Sequence, residues 1–173
     1  MTLIVIIKIL AIIILLLLSA LSSGSETALT AVSKQRAHRQ KDKGAKNANF
    51  ILKIKEFKDE FITGILLANN LFNILATALM TELLVSEFGG LGVSVATIFM
   101  TLMIVIFSEV TPKIFAINKP MTFALKVSKF FYFYTKLIKP IVNLINKVSN
   151  KIIKLIGLNL NADQSKIIEE EFE

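Results

Sequence analysis

The stretch Phe61–Thr81, FITGILLANNLFNILATALMT, decides how this chain must be read. It holds no charge over a length that, as a helix, crosses the roughly 30 Å hydrocarbon layer of a bilayer. Yet it contains three asparagines within five residues, at 69, 70 and 73. Working outward, no Lys or Arg stands between Lys58 and Lys113, while the flanking segments are crowded with them. Such banding belongs to a membrane protein rather than to a nucleic-acid surface, where basic residues share a face with readable polar and aromatic groups.

The totals agree. The chain has 173 residues, 54% of them hydrophobic, a net charge of +7 and a mean hydropathy of +0.65, more apolar than a soluble domain of this size. It has no cysteine, so disulfides, thiolate metal centres and thiol chemistry are excluded. Its single histidine, His38, rules out a His-rich metal site and leaves little material for His-based catalysis.

Two further uncharged runs complete the set. Ile9–Ser25 reaches bilayer length if Lys8 snorkels to the outer interface. Phe88–Ser108 is the third. A cleaved signal peptide competes for the first run, with Lys8 ahead of Ile9–Leu18 and small residues at Ser19, Ala20 and Ser22. The helix-compatible pattern continues past it through SETALTAVSKQRAHRQ, which favours a retained span. The expectation is an all-α membrane protein with three transmembrane helices, a cytosolic helical pair and an amphipathic juxtamembrane helix.

Charge sets the orientation. Lys34–Lys58 carries nine Lys/Arg against Asp42 and Glu56, and Lys119–Lys154 holds eight lysines and no acid. The connection around Glu82–Gly92 has only Glu82 and Glu87. Positive segments stay cytoplasmic. This places the N-terminus outside, the C-terminus inside, and the protein in a bacterial-type cytoplasmic (inner) membrane. The organisation expected is a three-span domain over 1–118 with inner helices at 26–58 turning at Lys43-Gly44, juxtamembrane amphipathic helices over 119–157 bent or broken at Pro140, and an acidic linker over 158–173. A fourth span around Phe130–Tyr134 is set aside because lysines interrupt every run there. The basic belt should meet anionic lipid headgroups, and no nucleic-acid partner is expected.

Polar groups inside a bilayer are expensive, about 2.5–3.5 kcal/mol for an ion at a helix centre. Each span carries one such cluster. Ser19 and Ser23 stack on one helix face, with Gly24 beside them. Backbone-bonded serines, or a capping box from Ser23 to Glu26, would explain these without function. Asn69 and Asn73 share a face and Asn70 points away. Asparagine glue between helices is the plain alternative. In IFMTLMIVIFSEVTPK (98–113), Pro112 cannot bond the carbonyl of Ser108, next to Glu109. A weak Glu109–Lys113 pair would be the ordinary explanation. Together these are hard oxygen donors, suited to Mg²⁺, Ca²⁺ or Na⁺. With one formal negative charge, binding would be reversible, as transport requires. An intramembrane enzyme lacks its parts, since Glu109 has no His or Cys partner and the serines have no base.

Three motifs, SALSSGSETALTAV (19–32), ILLANNLFNIL (65–75) and VIFSEVTPKIFAINKP (105–120), resemble the transmembrane domain of the CNNM/CorC magnesium transporters. The resemblance implies a homodimer that carries Mg²⁺ in each bundle, with Na⁺ as a coupling ion. It implies Ser19, Ser23, Asn69, Asn73 and Glu109 as ion ligands, with a helix break at the site marked by Gly24, Ser108 and Pro112. Ala68 and Ser108 stand where that family commonly has Gly. Its members usually continue into paired CBS nucleotide-binding modules, toward which the acidic stretch would lead. A non-transporting membrane scaffold or anchor for a cytosolic regulatory module is the alternative function.

Overall fold

Thirty residues, mostly Leu, Ile and Ala as far as Leu18 and richer in Ser and Thr beyond, open the chain as one helix, α1 (Thr2–Ala31), about 45 Å long. The computed structural model describes residues 2–156, and the expected acidic linker at 158–173 lies outside them. Two short helices follow, α2 (Lys34–Asp42) and α3 (Ala48–Glu56). Ser33 starts α2, its Oγ accepting the Arg36 N–H at 3.3 Å. Gly44 makes the expected turn with φ +75°. Asn47 follows in the left-handed region, φ +71°, pinned by donating to the Leu125 carbonyl at 3.0 Å.

The second span is α4 (Lys58–Phe88), with Asp59 and Glu60 in its first turn, where negative charge suits the helix dipole. Gly89 and Gly90 turn the chain into the third span. That span is one continuous rod, made of α5 (Leu91–Met103), a π-helical segment (Ile104–Val110) and α6 (Thr111–Asn118). The last element, α7 (Pro120–Leu155), is a 36-residue amphipathic helix. Among the described residues there is no strand, and three helices are long and apolar enough to cross a bilayer.

Cross-helix contacts fix the directions. Ser19 meets Asn69 and Asn73, and Lys8 pairs with Glu82 at 2.7 Å, so α1 and α4 run antiparallel. Ser108 bonds Leu16, and a Cβ on Gly24 would lie 3.3 Å from the Pro112 carbonyl, so α1 and the third span run parallel. Ile12, Ala76 and Met100 form an apolar cluster toward the N-terminal half of α1. Toward the C-terminal end of α1, Leu29, Ile51, Ile54, Phe61, Ala116 and Phe131 join five helices in a larger core. Outside, Ile4 (61% exposed), Leu17 (65%) and Ile98 (66%) present a band that water would not tolerate and that hydrocarbon solvates.

Three expectations about helix ends need correction. α1 does not stop near Ser23 but runs to Ala31, so the inner helices begin at Lys34 rather than at residue 26. Ala28 and Leu29 are buried in the larger core, and that packing draws the helix onward. Gly24 therefore breaks nothing. Its missing side chain admits Phe123, whose Cζ would stand 2.9 Å from a Cβ there. Nor does Pro140 break α7. Beyond it, Val142 is fully buried against Gly64, and Asn146 accepts a hydrogen bond from Thr63 at 2.8 Å. These contacts outweigh the one backbone bond a proline removes.

A candidate cation site between the membrane helices

α1 carries a run of hydroxyls, and most behave as membrane serines and threonines usually do. Ser22, Ser25 and Thr27 each donate to the carbonyl four residues earlier. Ser19 and Ser23 are the exceptions. Ser19 is fully buried, and its Oγ lies 2.6 Å from Asn69 Oδ1 and 2.6 Å from Asn73 Oδ1. A hydroxyl has one proton and can donate to only one of them. The other close oxygen pair is relieved either by turning one amide so that its N–H₂ donates, or by a cation. Ser23 Oγ, one turn further along the same face, is buried at 1% exposure with no hydrogen-bond partner. An orphaned polar group of this kind costs about 1–3 kcal/mol. The capping explanation for Ser23 fails, since it sits in the interior of α1.

The third span reaches the same level. Leu16 opposite Ser108 and Gly24 opposite Pro112 bracket Ser19 and Ser23 along α1. Ser108 is buried and spends its proton on the Leu16 carbonyl at 3.1 Å, tying the two helices together. The expected break at Ser108 and Pro112 is instead a widened turn, in which the Thr111 N–H bonds Ile106 five residues back. Next in line, Pro112 offers no N–H to Phe107 or Ser108 in either helical register. Chain direction is kept while backbone pairing loosens. Glu109, inside the widened turn, is half-buried. The ion pairs among the described residues are Lys8–Glu82 and Lys139–Glu60, so the Glu109–Lys113 pair is not made.

The structure thus joins Ser19, Asn69 and Asn73 directly and stacks Ser23 on the same face. It sets Glu109 at their height on the neighbouring span, without a hydrogen bond to any of them among the described residues. Asn70 is exposed and stands apart, as its spacing requires. Two features escaped the sequence reading. One is the π segment, for which IVIFSEV gives no signal beyond the nearby proline. The other is a shallow, mostly apolar hollow along α4, lined by Asn73, Ile74, Thr77, Ala78, Thr81, Glu82 and Val85. Hydroxyls four residues apart were its only trace. No group of three His, Cys, Asp or Glu occurs among the described residues. Any cation here would meet mostly neutral oxygens and one carboxylate, a set suited to hard ions held weakly.

Fold and polar cluster together define an integral membrane domain whose first two spans meet through buried Ser19, Asn69 and Asn73. Residues 10–173 match the family described as the cyclin M transmembrane N-terminal domain (CNNM), and the chain belongs to that family. A UPF0053 protein of Haemophilus influenzae is 33% identical over 147 residues, covering 85% of this chain and 35% of that one. The UPF0053 inner membrane protein YfjD of Escherichia coli is 31% identical, over 85% and 34% respectively. A chloroplastic DUF21 domain-containing protein of Arabidopsis thaliana is 30% identical over 78% of this chain and 20% of its own length. The chain spans about a third of the length of the bacterial relatives.

Proposed function

We propose that this domain moves a hard divalent cation, Mg²⁺, across the cytoplasmic membrane, handing it between the oxygens of Ser19, Ser23, Asn69, Asn73 and Glu109. The observation that carries this reading is the convergence of three oxygens at Ser19 beside the unpartnered Ser23 hydroxyl. Helix glue accounts for the Ser19 contacts once one amide is turned, but it leaves the buried Ser23 hydroxyl without a partner. The residues suit the ion as cargo. Mg²⁺ keeps several of its waters and takes only a few protein oxygens, and neutral donors with one charge let it go again. The assembly in this proposal is a homodimer, N-terminus outside, exporting Mg²⁺ in exchange for Na⁺.

The test is flux. Liposomes containing the full chain and a trapped Mg²⁺ indicator should respond to an imposed Mg²⁺ gradient, faster with an opposing Na⁺ gradient. The double variant Ser19→Ala, Ser23→Ala should slow this at least tenfold while keeping its fold, because both substitutions shorten a buried side chain without adding bulk. If wild-type liposomes move no more Mg²⁺ than empty ones, the transport reading falls and the membrane-anchor reading stands in its place.

A further inference from the structure

Helix α7 shows three distinct faces. At about 100° per residue, the buried positions Val127, Phe131, Thr135 and Val142 lie together and pack on the bundle. Roughly a third of a turn away runs a second line, of Phe130 (58% exposed), Leu137 (79%), Ile141 (52%), Leu144 (64%), Val148 (51%) and Leu155 (87%). The remaining third carries Lys129, Lys136, Lys147 and Lys154, all exposed, within about 20° of one another. Lys139, which falls off this row, pairs with Glu60 at 3.9 Å. The row itself has no carboxylate within ion-pair distance among the described residues, and α7 contains no acid at all. Lys126, Lys129, Phe130, Phe133 and Leu137 also border a groove that joins the apolar line to the basic one.

From this arrangement we infer that α7 is an anionic-phospholipid site. Its apolar line enters the acyl boundary of the inner leaflet, and the row of Lys129, Lys136, Lys147 and Lys154 binds the headgroup phosphates. Charge decides the occupant. A second copy of α7 laid on the apolar line would bring its own lysines beside these, with no acid between them. A leaflet containing anionic lipid supplies the missing sign and covers the apolar line in the same step. Lys126 and Lys151, nearer the apolar line, reach the headgroups by extending their stems. The inference stands independently of ion transport.

The full chain in vesicles of mixed phosphatidylcholine and phosphatidylglycerol, doped in turn with spin-labelled versions of each, tests it. Wild type should immobilise the anionic label several-fold more than the zwitterionic one, and the preference should shrink with salt. Changing the four row lysines to Gln should bring the ratio close to one, while Mg²⁺-dependent thermal stabilisation stays as in wild type. An unchanged ratio overturns the proposal. A second probe exploits the absence of cysteine. A nitroxide on Leu144→Cys should collide more with oxygen than with a water-soluble nickel chelate. Ready disulfide formation between two Leu144→Cys chains would mean that a second copy covers this line, and the proposal would fall. So would retention of RNA by wild type, but not by the four-Gln variant, under conditions where neither discriminates between the lipids.

Discussion

Glu109→Gln should abolish the response to Mg²⁺ and leave the unliganded protein as stable as wild type, or more so. The substitution keeps size and one oxygen donor and removes only charge. Glu109 is half-buried in a membrane span and is neither ion-paired nor hydrogen-bonded among the described residues. An unpaired carboxylate there is a burden of up to about 3 kcal/mol, which the amide relieves. With Mg²⁺ the sign reverses. At an effective dielectric constant near 20, a carboxylate a few ångströms from a divalent ion contributes on the order of 4 kcal/mol even after heavy discounting for water, or two to three powers of ten in affinity. Stabilisation by ligand follows RT ln(1 + [L]/Kd). A Mg²⁺ concentration that raises the wild-type unfolding temperature by several degrees should leave the variant unmoved. Thermal unfolding in detergent with and without Mg²⁺ checks both halves. A variant that loses stability in the absence of Mg²⁺, yet keeps its Mg²⁺ shift, would make Glu109 a structural group and remove the charge from the proposed site.

Gly92→Ala should be the most damaging single methyl group in the protein. A Cβ at this position would lie 2.4 Å from the Leu84 carbonyl oxygen, 2.5 Å from its carbon and 2.6 Å from the Val85 nitrogen. These are backbone atoms of α4, which cannot swing aside as a side chain does, so the two helices must separate. Overpacking of this kind costs about 1–3 kcal/mol, and more where backbone must shift. Gly90→Ala, two residues earlier, is the internal control. A Cβ there meets nothing within 4 Å, and φ is −59°. That substitution should be neutral or slightly stabilising, through the unfolded chain. Folded yield and unfolding temperature of the two variants should diverge sharply. Equal behaviour would mean that α4 and α5 do not cross this closely. Because the α4–α5 hairpin sets the height of Glu109 against Asn73, Gly92→Ala should also weaken the Mg²⁺ response in whatever fraction folds.

Much of this architecture was legible in the residues, and for identifiable reasons. The desert of Lys and Arg between residues 58 and 113 reports the spans because hydrocarbon excludes ions whatever the tertiary contacts. The four-residue spacings of Ser19–Ser23 and Asn69–Asn73 report shared faces because helix geometry fixes them. Lys43-Gly44 reported a turn that needs a positive φ. The rest depended on partners far away in the chain. Gly24, lacking a side chain, reads either as loosened backbone or as a place of close approach, and Phe123 with the Pro112 backbone makes it the second. Pro140 reads as a bend or a break, and Val142 and Asn146 anchor an unbroken helix beyond it. In the site, residue types and faces could be read, whereas the excess of acceptors around Ser19 and the solitude of Ser23 are properties of packing alone. No local pattern distinguishes Ser23 from Ser22 or Ser25, which bond their own helix.

The five-residue backbone pairing in Ile104–Val110 has a consequence for how this domain can change over generations. A π turn houses a surplus residue relative to an α turn. Elsewhere in a membrane rod, losing a residue spins everything downstream by about 100° and turns a lipid-facing surface inward. Here the loss can be absorbed by reverting to ordinary pairing, so that Met100 above and Ala116 below keep their present neighbours. What changes is confined to the neighbourhood of Ser108 and Glu109. Lineages could therefore retune the ion chemistry by a single-codon gain or loss without redesigning the surrounding bundle.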